Sequence, residues 1–240
     1  MKNYPPIGEA QGKKEAVQAM FDAIAPRYDL LNRILSFGID RRWRRQAIEM
    51  LREHQPRRIL DVATGTADLA IEALTLEPEK VVGVDISEEM LRVGREKIER
   101  LGLTDRITLR RGDAERLPFS DAQFDAVLVA FGVRNFENLE QGLRQIARVL
   151  RPGGVLVVLE FSHPRRFPVK QLYEFYARHI LPRIGSSVSK DEGAYRYLPE
   201  SIAAFPDGPR FLDIMQQVGF SDLRWKPLTF GIASLYRGTR

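Results

Sequence analysis

Three aspartates occupy matching places in the chain, each where an apolar run gives out. Asp61 lies in "LDVATGTADLA" (60–70), Asp85 closes "VVGVD" (81–85), and Asp113 follows "ITLRR" in "GDAERLPF" (112–119). Aspartate is common in loops and caps, so each alone is ordinary. All three at strand ends, after a strand–turn–helix signal, describe a rim of carboxylates. Such a rim repels phosphate and attracts a cation. A dinucleotide fingerprint would want glycine at 65, 67 and 70, where the chain has Gly65, Ala67 and Ala70. A Cβ at 67 obstructs the backbone approach to a pyrophosphate, and no "GKS" or "GKT" is present here to cradle a triphosphate.

Inverting the charge gives the ligand: a nucleoside with a cationic tail and no phosphate. S-adenosylmethionine is such a molecule. Asp61 would welcome that cationic tail, and Gly65, in the turn beside it, would bind the cofactor. Its carboxylate would use backbone N–H groups at the helix start near Thr66. Asp85, 20 residues beyond Gly65, would accept from two ribose hydroxyls, and Asp113 from the adenine amino group.

The elements needed to bring these residues together are legible as an alternation. "RILDVA" reads as a strand, Thr66 to Leu76 as a helix and "VVGVD" as a strand. "SEEMLRVGREKIERLG" reads as a helix capped by Ser87, acidic in its first turn, basic in its last and closed by Gly102. "ITLRR" and "FDAVLVAF" are strands, a helix runs from about Asn138 to Leu150, and "RPGG" turns into "VLVVLEF". Apolar strands separated by helical patterns predict a parallel sheet covered on both faces. Before it, "EAVQAMFDAIA" places Val17, Met20, Phe21 and Ile24 at helical spacing, "DLLNRIL" is a second helix, and a third opens at Asp40 as N-cap. Residues 1–12, with Pro5, Pro6, Gly8 and Gly12, read as loose. After 162 come the helical stretch "VKQLYEFYARHIL", a helix in "GPRFLDIMQQVGF", and a closing hairpin of "DLRWKPLTF" and "IASLYRG". The fold expected is α/β, a Rossmann-like, doubly wound, mostly parallel seven-stranded sheet with a helical N-terminal cap and a helical insertion after strand five. We expect one domain: cap 1–55, cofactor-binding core 56–162, substrate-side insertion 163–205, closing helix and hairpin 206–240.

The bulk numbers fit an ordinary globular chain of 240 residues, 44% hydrophobic and 29% charged. No run reaches the apolar length that spans a bilayer, and the opening stretch is expected to be no signal peptide. With no cysteine, disulfides and thiolate metal sites are excluded; a reducing cytosol is allowed, and no metal site is expected. The net charge of +5 suits nucleic acid, an anionic membrane, an acidic ligand or a merely solvated basic surface.

"LDVATGTADLA", "VVGVDIS", "GDAERLPF" and "RVLRPGG" resemble the successive motifs of class I S-adenosylmethionine-dependent methyltransferases. "YDLLNRILSFGIDRRW" (28–43) and "RVLRPGGVLVVLEFS" (148–162) resemble the signature segments of the menaquinone and ubiquinone C-methyltransferases, and "FGVRNF" (131–136) and "YRYLPESIAAFP" also fit. The likeness runs from about Lys13 to the C-terminus. The first signature usually carries histidine where this chain has Asp40, which would serve equally as a helix cap. The resemblance implies methylation of a ring carbon on a prenylated hydroquinone, demethylmenaquinol to menaquinol at the last step of menaquinone biosynthesis, or the same chemistry on a ubiquinone precursor. By similarity Thr66, Asp85, Ile86, Asp113 and Ala114 contact the cofactor, and Ala130 stands at a further matched position that is usually serine.

A ring carbon becomes nucleophilic when an ortho hydroxyl loses its proton, so the site needs a positioned ring, a phenolate stabiliser and a proton route. Arg134, a poor base, is expected to stabilise the phenolate, Asn135 to bond the ring oxygens, and Tyr28 to bond cofactor or ring. A surface salt bridge, a helix cap and core packing are the ordinary alternatives for these three. His163 ranks below them as a base. The isoprenoid tail calls for apolar lining, which Phe167, Leu172, Phe175, Tyr176 and Ile180 offer unless they are simply core. The four arginines of "DRRWRRQ", unfavourable at a helix start, suit anionic headgroups or a solvated face paired with acids. The expected placement is cytoplasmic, with transient contact to the inner face of the cell membrane. Oligomeric state, a homodimer included, stays open. Two rival readings remain: a methyltransferase acting on RNA or protein, for which no nucleic-acid module is recognisable, and a non-catalytic adenosyl-ligand binding module.

Overall fold

The computed structural model describes residues 12–36, 38–165, 167–175 and 192–240. The reading of 1–12 as loose falls, Gly12 apart, outside these residues, as do Tyr176 and Ile180.

Strands β1 (Arg58–Val62), β2 (Lys80–Asp85), β3 (Ile107–Arg111), β4 (Phe124–Ala130), β5 (Leu150–Phe161), β6 (Ser221–Leu228) and β7 (Ala233–Thr239) form one sheet in the order β3-β2-β1-β4-β5-β7-β6. Pairing is parallel from β3 to β5, and β7 runs antiparallel to both β5 and β6. The chain reverses its direction of winding between β1 and β4, and ligands of open α/β sheets bind beyond the carboxyl ends of the strands at such a point.

Side chains on a strand alternate between faces, and the core divides accordingly. Ile59, Val81, Leu128 and Val157 pack with Trp43 and Ile48 of α3 (Ile39–Glu49), Leu69 of α4 (Asp68–Ala73) and Leu91 and Ile98 of α5 (Glu88–Arg100). Leu60, Val127, Leu156 and Tyr236 pack on the opposite face with Leu143 and Ile146 of α6 (Leu139–Val149) and with Phe211 and Met215 of the helix Pro209–Gln217. Both faces are covered, as the unbroken apolar strands require. Before β1 lie α1 (Lys13–Ile24), α2 (Tyr28–Leu35) and α3; after β5 lie α7 (Val169–Phe175), α8 (Glu192–Ala204) and the helix Pro209–Gln217, here α9.

Local chemistry explains where helices start. Ser87 Oγ accepts from Met90 N at 3.1 Å and Asn138 Oδ1 from Gln141 N at 2.9 Å, the N-cap geometry that leaves one fewer orphan donor. Gly102, with φ +67, closes α5. Asp40 does not cap α3. Gly38, in the left-handed region at φ +74, precedes the helix, and the Asp40 carboxylate inside the first turn accepts from Ser36 Oγ at 2.6 Å and Arg44 Nη2 at 2.5 Å. The helix expected over 66–76 is shorter: Ala67 is left-handed at φ 68, α4 starts at Asp68, and Leu74–Leu76 tighten into a 3-10 turn. β5 begins earlier than expected. Leu150 pairs with Phe124, and the "RPGG" residues then slip the register until Val155 meets Ala126.

Candidate active site

The strand ends open into a cavity that is continuous with solvent, in the place where ligands of open α/β sheets bind. Its wall collects Gly65 from the turn after β1, Asp85 and Ile86 after β2, Asp113 and Ala114 after β3, Ala130 at the end of β4, and Tyr28 and Asn135. Asp61, Thr66 and Arg134 stand behind that wall.

Asp85 is the structural hinge of the rim. Its Oδ2 accepts from Gly65 N at 2.8 Å and its Oδ1 from Ser87 N at 2.9 Å, so the carboxylate ties the first turn to the start of α5. Each oxygen keeps a lone pair for a ligand hydroxyl. Burial pushes this carboxyl above the usual range, and the backbone N–H donors pull it back. Gly65, at φ +54, supplies the backbone conformation that a side chain rarely adopts and faces the Tyr28 ring, whose Cε1 lies 3.8 Å from where a Cβ would stand.

Asp61 is 1% exposed and turned beneath the loop. Its Oδ2 accepts from Thr64 Oγ1 at 2.6 Å, and burial pushes its carboxyl up to about 7. Its position differs from the direct contact expected: the carboxylate pins the turn from inside. Thr66 is likewise spent, its hydroxyl donating to Asp29 Oδ1 of α2. Ala67 is fully buried, 3.5 Å from where a Cβ on Gly94 of α5 would stand.

The adenine-side acid, Asp113, accepts from Glu115 N at 2.9 Å and forms an ion pair with Lys14 Nζ at 2.7 Å. Lys14 also lies 3.7 Å from Glu115 and 4.0 Å from Glu137, and its hydrogen bond to Asp113 raises its pKa. No sequence motif singles out Lys14, Glu115 or Glu137 for this place. Val17 and Phe21 are legible as one apolar face of α1, but with Lys14 they cover the cavity rather than only core. The spacing 14, 17, 21, which sets all three on one side of the helix, is the signal in the sequence that joins the lysine to that face.

At the far end β4 passes into Phe131, left-handed at φ 57, and then a 3-10 turn, Val133–Asn135. Gly132 is required here: a Cβ would lie 2.6 Å from Ala63 Cβ. Phe131 stacks on Phe161 at 4.5 Å, and Trp43 meets both rings at 6.2 Å. Arg134 lies with its guanidinium 5.5 Å from the Phe161 ring centre; Nη1 pairs with Glu160 Oε1 at 2.8 Å and donates to Phe131 O. Asn135 Oδ1 accepts from Tyr197 Oη of α8 at 3.1 Å. Tyr28, edge-on to Phe21 at 6.1 Å, has its pKa raised by burial, against hydrogen bonding with Asn32 and the positive fields of Arg134 and Arg44. His163 is exposed, its backbone N–H bound to Asp207 and its ring edge-on to Tyr173.

The donor set selects the ligand. Asp85, Asp113, Glu115 and Glu137 face the cavity against the cation of Lys14, a wall hostile to a triphosphate and suited to a positively charged nucleoside. Gly65, Gly112, Ala114 and Gly132 leave it room, so the residues present fit S-adenosylmethionine. Among the described residues no cluster of His, Cys, Asp or Glu could hold a metal, and no helix is long and apolar enough to cross a membrane.

Fold and wall together are those of the S-adenosylmethionine-dependent methyltransferases. A solved member from Thermotoga maritima, described as a possible histamine N-methyltransferase, superposes with a TM-score of 0.63 over 92% of this chain and 98% of its own; at 20% identity the likeness speaks for the fold alone. This chain belongs to the ubiE/COQ5 methyltransferase family, which it matches over residues 9–240. It is 50% identical to the demethylmenaquinone methyltransferase of Deinococcus radiodurans, covering 100% of this chain and 98% of that protein. It is 49% identical to that of Bacteroides fragilis, covering 99% and 100%.

Proposed function

We propose that this protein transfers the methyl group of S-adenosylmethionine to a ring carbon of demethylmenaquinol, yielding menaquinol. The observation that carries the reading is a single cavity whose wall joins the carboxylates Asp85, Asp113, Glu115 and Glu137 to apolar Phe21, Phe131 and Phe136 and to one amide, Asn135. The names of the relatives give the substrate class. Bound S-adenosylmethionine supplies an electrophilic methyl on a sulfonium. Asp85 accepts the ribose hydroxyls, and Asp113 the adenine amino group once Lys14 yields. Ile86, Ala114 and Ala130 line the space between. Asp61 and Thr66 act at one remove, by fixing the turn that carries Gly65.

At the ring end Asn135 donates to the ring oxygen on which charge develops, and Tyr28 bonds the ring or the cofactor. Arg134, held by Glu160, contributes its positive field to that oxygen from behind. The ring hydroxyl's proton is lost to solvent before methylation; afterwards the ring carbon loses its own proton and the oxygen regains one, so the quinol is restored with a net release of one proton.

The prenyl tail gives a reason for contact with a membrane. We read a transient, peripheral docking on anionic lipid at the cytoplasmic face. It is supported by exposed apolar side chains, Phe167 at 82% and Phe230 at 80%, and by the exposed cations Arg41 and Arg42. Arg44 and Arg45, by contrast, are taken up by Asp40, Asp68 and Glu72. The same reading treats the chain as one functional unit, with 1–55 covering the cofactor, 56–162 binding it, 163–205 flanking the substrate and 206–240 closing the sheet.

The test is transfer of labelled methyl from S-adenosylmethionine, under anaerobic conditions, to a panel of reduced quinone precursors. Label in demethylmenaquinol is expected. Label in the ubiquinone precursor alone moves the substrate; label only in RNA or protein overturns the reading.

A further inference from the structure

Asn135 stands at the cavity wall with both ends of its amide engaged by the protein. Nδ2 faces Phe131 O at 3.4 Å and Oδ1 faces Tyr197 Oη at 3.1 Å. A carbonyl oxygen only accepts, so the nitrogen must be the end at Phe131, and the oxygen the end at Tyr197. Tyr197 then donates. The amide has one orientation, with one Nδ2 proton left over. Tyr197 is 7% exposed and comes from α8, which packs on the Val133–Asn135 turn. One turn further along α8, at the spacing that shares a helix face, Ser201 Oγ accepts from Arg134 Nε at 3.4 Å. Neighbouring residues of the turn are thus each held by α8.

We propose that Tyr197 is a positioning residue for methyl transfer: its hydroxyl fixes and polarises the Asn135 amide so that Nδ2 presents an N–H donor to the substrate's ring oxygen. This rests on the reading above that Asn135 meets the quinol. Accepting a hydrogen bond at Oδ1 draws electron density toward the oxygen and makes the Nδ2–H a stronger donor. Without it, the amide can rotate and offer its oxygen instead, which repels a phenolate. Burial pushes the Tyr197 phenol up, Arg134 pulls it down and Glu160 pushes it up again, so near neutral pH it keeps its proton and remains a donor.

The experiment is a double-mutant cycle on the full chain, with Tyr197→Phe, Asn135→Ala and both, assayed with demethylmenaquinol. Tyr197→Phe is expected to lower kcat about tenfold, the worth of one hydrogen bond. KM for the quinol and calorimetric affinity for S-adenosylmethionine stay within about twofold, a range small beside one such bond. In the Asn135→Ala background the Tyr197→Phe change costs nothing further. A second variant keeps the shape: 3-fluorotyrosine at position 197, whose hydroxyl ionises nearer neutrality. Its kcat should fall at the alkaline pH where that hydroxyl ionises, a limb missing in wild type and in the Asn135→Ala background. Losses that multiply, or no loss in Tyr197→Phe and no new limb, overturn the proposal while leaving the quinol reading intact. If Asn135→Ala itself works at the wild-type rate, the assignment of Asn135 falls, and the part given to Tyr197 with it.

Discussion

Arg134 Nη1 and Glu160 Oε1 form an ion pair at 2.8 Å in which the arginine side chain is 7% exposed and the glutamate 0%. Breaking such a pair on one side leaves a charge in the interior without compensation. Glu160 also accepts from the backbone N–H groups of Arg134 and Phe161, so it joins the end of β5 to the turn after β4. Glu160→Ala should cost about 3–5 kcal/mol of folding stability. Glu160→Gln, which keeps an acceptor, should cost less. Urea denaturation reads both; equal, small losses would mean that the pair does not hold the turn.

Asp85→Asn keeps the shape of the carboxylate but supplies only one acceptor oxygen, and Gly65 N, Ser87 N and two ribose hydroxyls compete for it. With charged hydrogen bonds worth roughly 1.5–3 kcal/mol each, affinity for S-adenosylmethionine should fall by about ten- to a hundredfold. Isothermal titration calorimetry decides it, and unchanged affinity removes the ribose assignment.

Asp61 gives a stability profile with a definite sign. Its carboxyl titrates at 3.8 when unperturbed and at about 7 in the folded protein. Between those pH values the folded chain keeps a proton that the unfolded chain has shed. Stability therefore falls as pH rises from about 4 to 7 and is level beyond. At 1.36 kcal/mol per unit the whole effect is at most about 4 kcal/mol. Asp61→Asn should flatten the slope in that window; chemical denaturation curves that stay parallel to wild type across it would sink the account.

Gly132→Ala forces a methyl to within 2.6 Å of Ala63 Cβ and 3.2 Å of Val129 Cγ1. The strand ends of β1 and β4 must part, at a cost of about 1–3 kcal/mol. A lower Tm and weaker cofactor binding should appear together; loss of stability alone would uncouple this contact from the cavity.

Replacing Phe167 and Phe230 together by serine should leave turnover of a short-tailed quinol unchanged. Sedimentation with anionic vesicles should drop, because both rings are more than three-quarters exposed and carry little of the fold. Wild-type protein that does not sediment with such vesicles would end the membrane reading.

The inner strands β1, β2, β4 and β5 were readable because they are largely apolar and buried, and helix starts at Ser87 and Asn138 because their side chains do the capping themselves. Asp40 misled because glycine at 38 does by backbone conformation what a cap does by hydrogen bonding. Gly65, Asp85, Asp113, Tyr28 and Asn135 were legible as wall residues from their places at strand and helix ends, and Ile86, Ala114 and Ala130 through the family resemblance alone. Asp61, Thr66 and Arg134 shared those places but turned inward, and a sequence does not say which way a side chain at a strand terminus points. Lys14 and Tyr197 reach the site across sequence separations of 99 and 62 residues, contacts that no local pattern encodes. Leu172 and Phe175 follow helical spacing, yet exposures of 65% and 58% put them outside the core their spacing allowed, and Phe167, before the helix, is 82% exposed.

β7 lies between β5 and β6 although it follows both in the chain. When β6 leaves the ribosome it has no neighbour to bond. Residues 221–228 must wait, polar edge bare, until 233–239 emerge, and the two strands then enter as a pair. Synthesis would thus complete the nucleoside-binding strands before this pair, and β7, made after them, would shield β5 from pairing with another chain.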